Sequence, residues 1–250
     1  MTRQLVFDTK DSLSYFPEAA KTIDDLDKTF LRFLTGKKVL PVKIPSLISE
    51  EVLDKCGYFK TFPQHLTQLK PYGNMQSSIK RYLTPAACIH IYPILEKECI
   101  CQACYTTLAH VYRYENGMFE DPERLWEFSV REMVFVGTPD YVLSSLSEIK
   151  EKAIEVAKVI NEKANIVVAN DMFYPTRDNQ LRMRIQRKNK LKEELLIPYQ
   201  DRMIATASFN YHHFHFSKAF NFDNDGKVVT GCAGFGLDRW FLCTNQKEGC

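Results

Sequence analysis

The 250-residue chain has no apolar run long enough to cross a bilayer. Its first residues, MTRQLVFDTKDSLSYF, contain no apolar core of a secretion signal. These absences predict a soluble, cytoplasmic protein with no membrane partner. Charge of one sign is also scarce. Lys and Arg number 33 against 31 Asp and Glu, and a net charge of +2 does not by itself argue for a nucleic-acid partner. There is no internal repeat, low-complexity stretch or Gly/Ser linker, so a single domain over 1–250 is the simplest organisation. The segment GFGLDR (234–239) fits neither the dinucleotide-binding glycine fingerprint nor a P-loop. Eight cysteines without a signal peptide read as thiols or metal ligands, not as a disulfide framework.

Apolar periodicity is plentiful. It predicts a helix over 17–34, with Ile23, Leu26, Phe30 and Phe33 at helical spacing, inside an N-terminal helical extension (1–35). A strand over 38–45 and a short helix over 46–56 follow. A strand over 88–95 is opened by Cys88. Segments 108–115 and 126–137 read as two strands joined by a loop. Thr138-Pro139 supplies a cap and a first-turn proline for a helix running to about Lys163. Further strands are predicted at 165–170, 203–210 and 227–236, with a basic helical segment at 177–195 and a last helix from about Leu237. Strands in hairpins with long helices inserted predict an α+β fold with a mainly antiparallel sheet.

Two sets of residues carry chemistry. Arg113, Arg124 and Arg239 lie beside aromatic and acidic residues, and arginine grips phosphate oxygens through a rigid fork. Glu115, two residues after Arg113, shares its face if both lie on a strand. Phe128 offers a ring to a base. Each arginine taken alone reads first as a surface charge or half an ion pair. The second set is Cys88, Glu132 and Cys232. Two thiolates and a carboxylate suit Zn²⁺ with an open fourth position, and they also suit buried thiols with a carboxylate paired to arginine. Cys99, Cys101 and Cys104 in CICQAC contain half of a structural zinc pattern or are simple thiols. In HHFHF, His213 and His215 share a face if the segment is a strand. His212, His213 and His215 are candidates for metal binding, for a base or for packing.

The order YRYE, then Arg124, Phe128 and Glu132, then GFGLDR resembles motifs 2 and 3 of the class II aminoacyl-tRNA synthetases. VLPVKIPSLISEE resembles motif 1, with Pro45 as its proline. This resemblance implies a class II synthetase-like core with a six- to seven-stranded sheet flanked by helices. It also implies bound ATP with Mg²⁺, and a homodimer formed through motif 1. Arg113 would contact the α-phosphate, Glu115 and Phe128 the adenine, and Arg124 and Arg239 the γ-phosphate, with Arg113 and Arg239 catalytic. Motif 3 ordinarily ends Glu-Arg. Here it is Asp238-Arg239, a shorter acid with a different reach.

The pattern PAAC, then RE within motif 2, then TGC before GFGLDR is narrower. It resembles the amino acid–carrier protein ligases, truncated relatives of the zinc-dependent, methanogen-type seryl-tRNA synthetases. GYFKTFPQHL (57–66), YLTPAACIHIYP (82–93) and SFNYHHFHF (208–216) also resemble stretches of that family, so the likeness spans residues 35–245. It implies zinc on Cys88, Glu132 and Cys232, and a small amino acid, glycine or alanine, near Ser208 and Asn210. The adenylated amino acid would pass to the phosphopantetheine thiol of a carrier protein and not to tRNA. Glu194 is the nearest candidate for an acidic, magnesium-side role. The basic segment 177–195 suits docking of an acidic carrier, a solvated helix face or a nucleic-acid patch. A tRNA or amine acceptor, and a non-catalytic adenylate-binding relative, are the alternative functions.

Overall fold

The computed structural model describes residues 6–8, 11–72, 79–96, 102–117, 123–223 and 225–245. Its centre is a seven-stranded sheet. In chain order the strands are β1 (Val39–Pro41), β2 (Ala103–Tyr112), β3 (Glu127–Gly137), β4 (Asn165–Val168), β5 (Lys192–Tyr199), β6 (Arg202–His213) and β7 (Val229–Gly236). Across the sheet they run β1-β2-β3-β7-β6-β5-β4, with β1–β2 parallel and the other pairs antiparallel. The α+β expectation and the strand number hold.

Alternation of side chains divides these strands between two chemistries. One face carries Met133, Phe135, Ala207, Phe209, Ala233 and Phe235, packed into the larger core. Three helices cover it: α1 (Pro17–Arg32), α2 (Pro139–Ile160) and α4 (Leu237–Thr244). Phe30 of α1 stacks on Phe235 at 4.5 Å and tilts against Trp240 at 4.9 Å. Removing a ring buried this fully costs about 3–5 kcal/mol. Asp27 of α1 reaches the same face and grips Arg131 through both oxygens, at 2.6 and 2.7 Å. In α2 the Thr138 hydroxyl caps the Tyr141 amide and Pro139 starts the first turn. Gly231 admits α2 against the sheet, since a Cβ there would lie 2.8 Å from Val142 Cγ1.

The opposite face of the sheet presents Tyr105, Glu132, Val134, Cys232, Gly234, Ser208, Asn210, Lys192 and Glu194 in register. A small sheet (Leu47–Ser49, Gln68–Leu69, Arg81–Leu83) and a one-turn helix over Cys88–His90 belong to this side of the molecule. Short helices Tyr92–Leu95 and His215–Ala219 complete its second core.

Several local expectations are corrected. Cys88 opens a 3-10 turn and not a strand. The 88–95 segment continues into the Tyr92–Leu95 helix, where Pro93 fits the first turn and would break a strand ladder. The strand at 38–45 stops at Pro41. Residues 47–49 pair as a strand, and the helix after them starts at Glu50, where Ser49 Oγ accepts from the Val52 amide. The basic segment is helical only over α3 (Arg177–Lys188). Lys190 then adopts a left-handed φ of 50° and the chain turns into β5. The N-terminal extension begins as a hairpin, Val6–Asp8 with Leu13–Tyr15, before α1. The long helix ends at Ile160. Among the described residues no helix is long and apolar enough to cross a membrane.

Candidate active site

The Cys88, Glu132 and Cys232 ligand atoms lie within 4.8 Å of one another, although the residues come from a turn and two adjacent strands. Gly234 opens room for Glu132, because a Cβ there would stand 2.9 Å from Oε2. Burial pushes the Glu132 carboxyl up to about 7, against the opposing pull of Cys232 and Arg113. The Cys232 thiol is driven up by its hydrogen bond to Cys88, by burial and by Glu132. Two soft sulfurs and one carboxylate held this close fit Zn²⁺ and leave a fourth position open. Asn210 Nδ2 donates toward Cys232 Sγ at 3.6 Å and toward Ser208 Oγ at 3.5 Å, so both polar residues of the SFN segment border this cluster.

The arginines gather beside it. Arg239 donates from Nε to the Glu123 carbonyl and from Nη1 to the Ala205 carbonyl, both at 2.9 Å. Burial lowers the Arg239 guanidinium's pKa, with Arg113 and Arg124 pressing in the same direction and Glu115 and Glu194 opposing them. Those five charges therefore share one neighbourhood. Arg239 lies in the first turn of α4, directly after β7. Arg113 Nε donates to the Pro85 carbonyl at 3.0 Å, and its guanidinium covers the Phe128 ring at 5.4 Å. Arg124 pairs with Glu115 at 3.3 Å.

Glu115 is not on a strand with Arg113. β2 ends at Tyr112, and Glu115 begins a one-turn helix with a left-handed φ of 48°. Its Oε2 is buried and faces Arg124 Nε at 3.3 Å, an ion pair without hydrogen-bond geometry.

Asp238 turns away from this cluster. It accepts from Tyr15 Oη at 2.5 Å and from the Ser129 amide at 2.6 Å, which makes it a brace between the N-terminal hairpin and β3. His213 and His215 do not share a strand face. His213 closes β6 in a left-handed conformation, and His215 starts the helix after it. His212 is the member of that run at the cluster, with Nε2 3.6 Å from Cys232 Sγ. Cys104 is buried on the far face, and Cys99 and Cys101 lie outside the described residues.

Two further groups, Lys192 and His65, lie among these charges. Lys192, on β5 opposite Asn210, bridges Asp171 at 2.7 Å and Glu194 at 3.0 Å. Burial opposes its charge, but Asp171 and Glu194 outweigh it and raise the ammonium's pKa. In the sequence it is one more charge in a basic run, and only its alternation with Glu194 hinted at a strand face. His65 is buried and stacked on Phe62 at 5.3 Å. Burial, then Arg113, push its imidazole down to about 3.

No family model matches the chain. Amino acid–acyl-carrier-protein ligase 1 of Bradyrhizobium diazoefficiens is 30% identical over 235 residues, covering 83% of this chain and 71% of that protein. The chain belongs to the amino acid–acyl-carrier-protein ligase family. Membership makes the protein an ATP-dependent ligase. The type-2 serine–tRNA ligase of Methanopyrus kandleri is 29% identical over 186 residues, and the chain spans 34% of its length. The crystal structure of M. kandleri SerRS in complex with A. aeolicus tRNASec superposes on 97% of this ligase with a TM-score of 0.80 at 22% identity. Just over half of that chain, 55%, is covered. The fold is that of a class II synthetase.

Proposed function

We propose that this ligase activates a small amino acid, glycine or alanine, and transfers it to the phosphopantetheine thiol of a carrier protein. The amino-acid carboxylate attacks the α-phosphorus of ATP, and pyrophosphate leaves. The carrier thiolate then attacks the carbonyl carbon of the aminoacyl adenylate, and AMP leaves. The observation that carries this reading is that Cys88, Glu132 and Cys232 meet beside Ser208 and Asn210, with Arg113 within electrostatic reach of both Glu132 and Arg239.

Zn²⁺, held by Cys88, Glu132 and Cys232, would supply a Lewis-acidic position for the neutral amine of the substrate. Ser208 and Asn210 border that position and orient the substrate. Arg113 and Arg239 neutralise charge developing on the phosphates, in company with Mg²⁺. Arg124 supports the γ-phosphate side. Glu115, held by Arg124, offers its carboxylate to the adenine amine, and Phe128 offers its ring once Arg113 turns to the phosphate. Glu194, within the field of Arg239, is the candidate for the acidic, magnesium-side role.

The whole chain, 1–250, acts as one catalytic unit in a homodimer built through the segment around Pro45. It works in the cytoplasm. Helix α3 supports docking of an acidic carrier, since it presents Arg177, Arg182, Arg184, Arg187 and Lys188.

Amino-acid-dependent ATP–pyrophosphate exchange, with and without a zinc chelator, tests the first half-reaction. Acyl transfer to a phosphopantetheinylated carrier against transfer to tRNA tests the second. Exchange with glycine or alanine, lost on chelation, followed by loading of the carrier alone, is the expected result. Loading of tRNA would overturn the acceptor.

A further inference from the structure

His212 stands between the Cys–Glu–Cys cluster and the second core. On one side its Nε2 lies 3.6 Å from Cys232 Sγ. On the other its Nδ1 lies 3.1 Å from Thr230 Oγ1 and 3.4 Å from Tyr92 Oη. Thr230 and Tyr92 are both fully buried. The ring meets Phe216 edge to face at 4.9 Å, which limits its rotation. Nothing in the class II motifs assigns it a role.

We propose that His212 is a positioning residue for Cys232, donating Nε2–H to its thiolate and thereby setting how much charge that sulfur gives to a bound zinc. The inference rests on the zinc reading above. A metal-bound thiolate has lost its proton and can only accept. The atom facing it must then be the donor, which fixes the proton on Nε2. Nδ1 is left as the lone-pair nitrogen, and both of its neighbours are hydroxyls able to donate to it. With the proton on Nε2, the Nδ1 lone pair accepts from the nearer hydroxyl, Thr230 Oγ1, while Tyr92 Oη lies at 3.4 Å.

Asn210 Nδ2 is a second donor to the same sulfur, also at 3.6 Å. Two N–H groups on one thiolate draw electron density from the metal–sulfur bond. The metal becomes a stronger Lewis acid at its open position, and the sulfur is held in one orientation.

The test compares wild type, His212→Phe and His212→Gln, each loaded with Zn²⁺ and separately with Co²⁺. Metal affinity is read by competition with a chromophoric chelator. The thiolate-to-cobalt charge-transfer band reports the charge on sulfur, and circular dichroism reports the fold. His212→Phe should lose about ten-fold or more in affinity, and its band should move to longer wavelength because the sulfur is richer in electrons. His212→Gln, which keeps an N–H, should recover part of both.

Unchanged affinity and an unchanged band in folded His212→Phe would overturn the proposal. If that variant does not fold, Thr230→Val combined with Tyr92→Phe removes the hydroxyls that hold Nδ1 as acceptor. A displaced band then supports the proposal and an unmoved one overturns it. Wild type that binds neither ion would instead overturn the zinc reading, and the role of His212 with it.

Discussion

Gly234 on β7 sits directly opposite Glu132 on β3, and a side chain of even one carbon there would stand 2.9 Å from the carboxylate. Gly234→Ala should push Glu132 away from Cys88 and Cys232. Zinc affinity is expected to fall about ten-fold or more, with little change in secondary structure. Chelator competition alongside circular dichroism checks this. Unaltered affinity would mean that Glu132 is not held as a ligand.

Cys88→Ala and Cys232→Ala should each remove zinc and abolish amino-acid-dependent exchange. Metal content by mass spectrometry and the exchange rate are read on the same samples. Full activity in a zinc-free variant would contradict the proposed chemistry.

Arg113→Ala should slow exchange by about two to three orders of magnitude, the usual scale for losing one electrostatic contact to a transition state. Its links to the rest of the fold are a hydrogen bond to Pro85 and a stack on Phe128. The urea midpoint should therefore move far less than the rate. A large fall in stability with normal turnover in the remaining folded protein would assign Arg113 to the scaffold.

Asp238→Ala should act in the reverse sense. The carboxylate joins Tyr15 to the Ser129 amide, and removing it should lower folding stability by about 2–3 kcal/mol. Exchange measured well below the melting temperature should stay within a few-fold of wild type. A collapse of exchange without loss of stability would return Asp238 to the nucleotide site.

His65 gives the fold an acid-side pH dependence. Its pKa is held near 3 in the folded protein against an ordinary value of 6.5, so between those limits the unfolded chain binds a proton that the folded chain refuses. The stability it contributes is complete above pH 6.5 and is lost as pH falls toward 3, up to about 4 kcal/mol. His65→Phe, which keeps the stack on Phe62, should flatten the slope of unfolding free energy over that range. An identical slope in both proteins would show that His65 is accessible to protons.

Much of this site was legible in the residues, because its chemistry rests on types that sequence displays. The Cys–Glu–Cys set and the arginines stand out only when their order is set against the class II motifs, and β3, β6 and β7 fall close to the predicted strands at 126–137, 203–210 and 227–236. What stayed hidden depends on neighbours distant in sequence. CIHIYPIL is mostly apolar and partly β-branched, which predicts a strand from Cys88, yet Pro93 makes it a turn and a helix. Asp238 looked like a weakened motif acid, because its partner Tyr15 lies 223 residues away. Glu115 was expected beside Arg113 on a strand. It instead reaches the cluster from a strained turn, a conformation that its side chain does not advertise. Lys192 was one cation among many until β5 turned it inward.

The two faces of the central sheet also restrict how the chain can change length. Cys232 and Ala233, or Glu132 and Met133, are neighbours that differ only in whether their position along the strand is odd or even. Inserting one residue within β3 or β7 would trade thiol and carboxylate for alkyl groups on one side, and drive charge into the phenylalanine layer on the other. Reactivity and solidity are thus written in the same strands at opposite parity. Growth or shortening by single residues is open to the connections between strands and closed to β3 and β7 themselves.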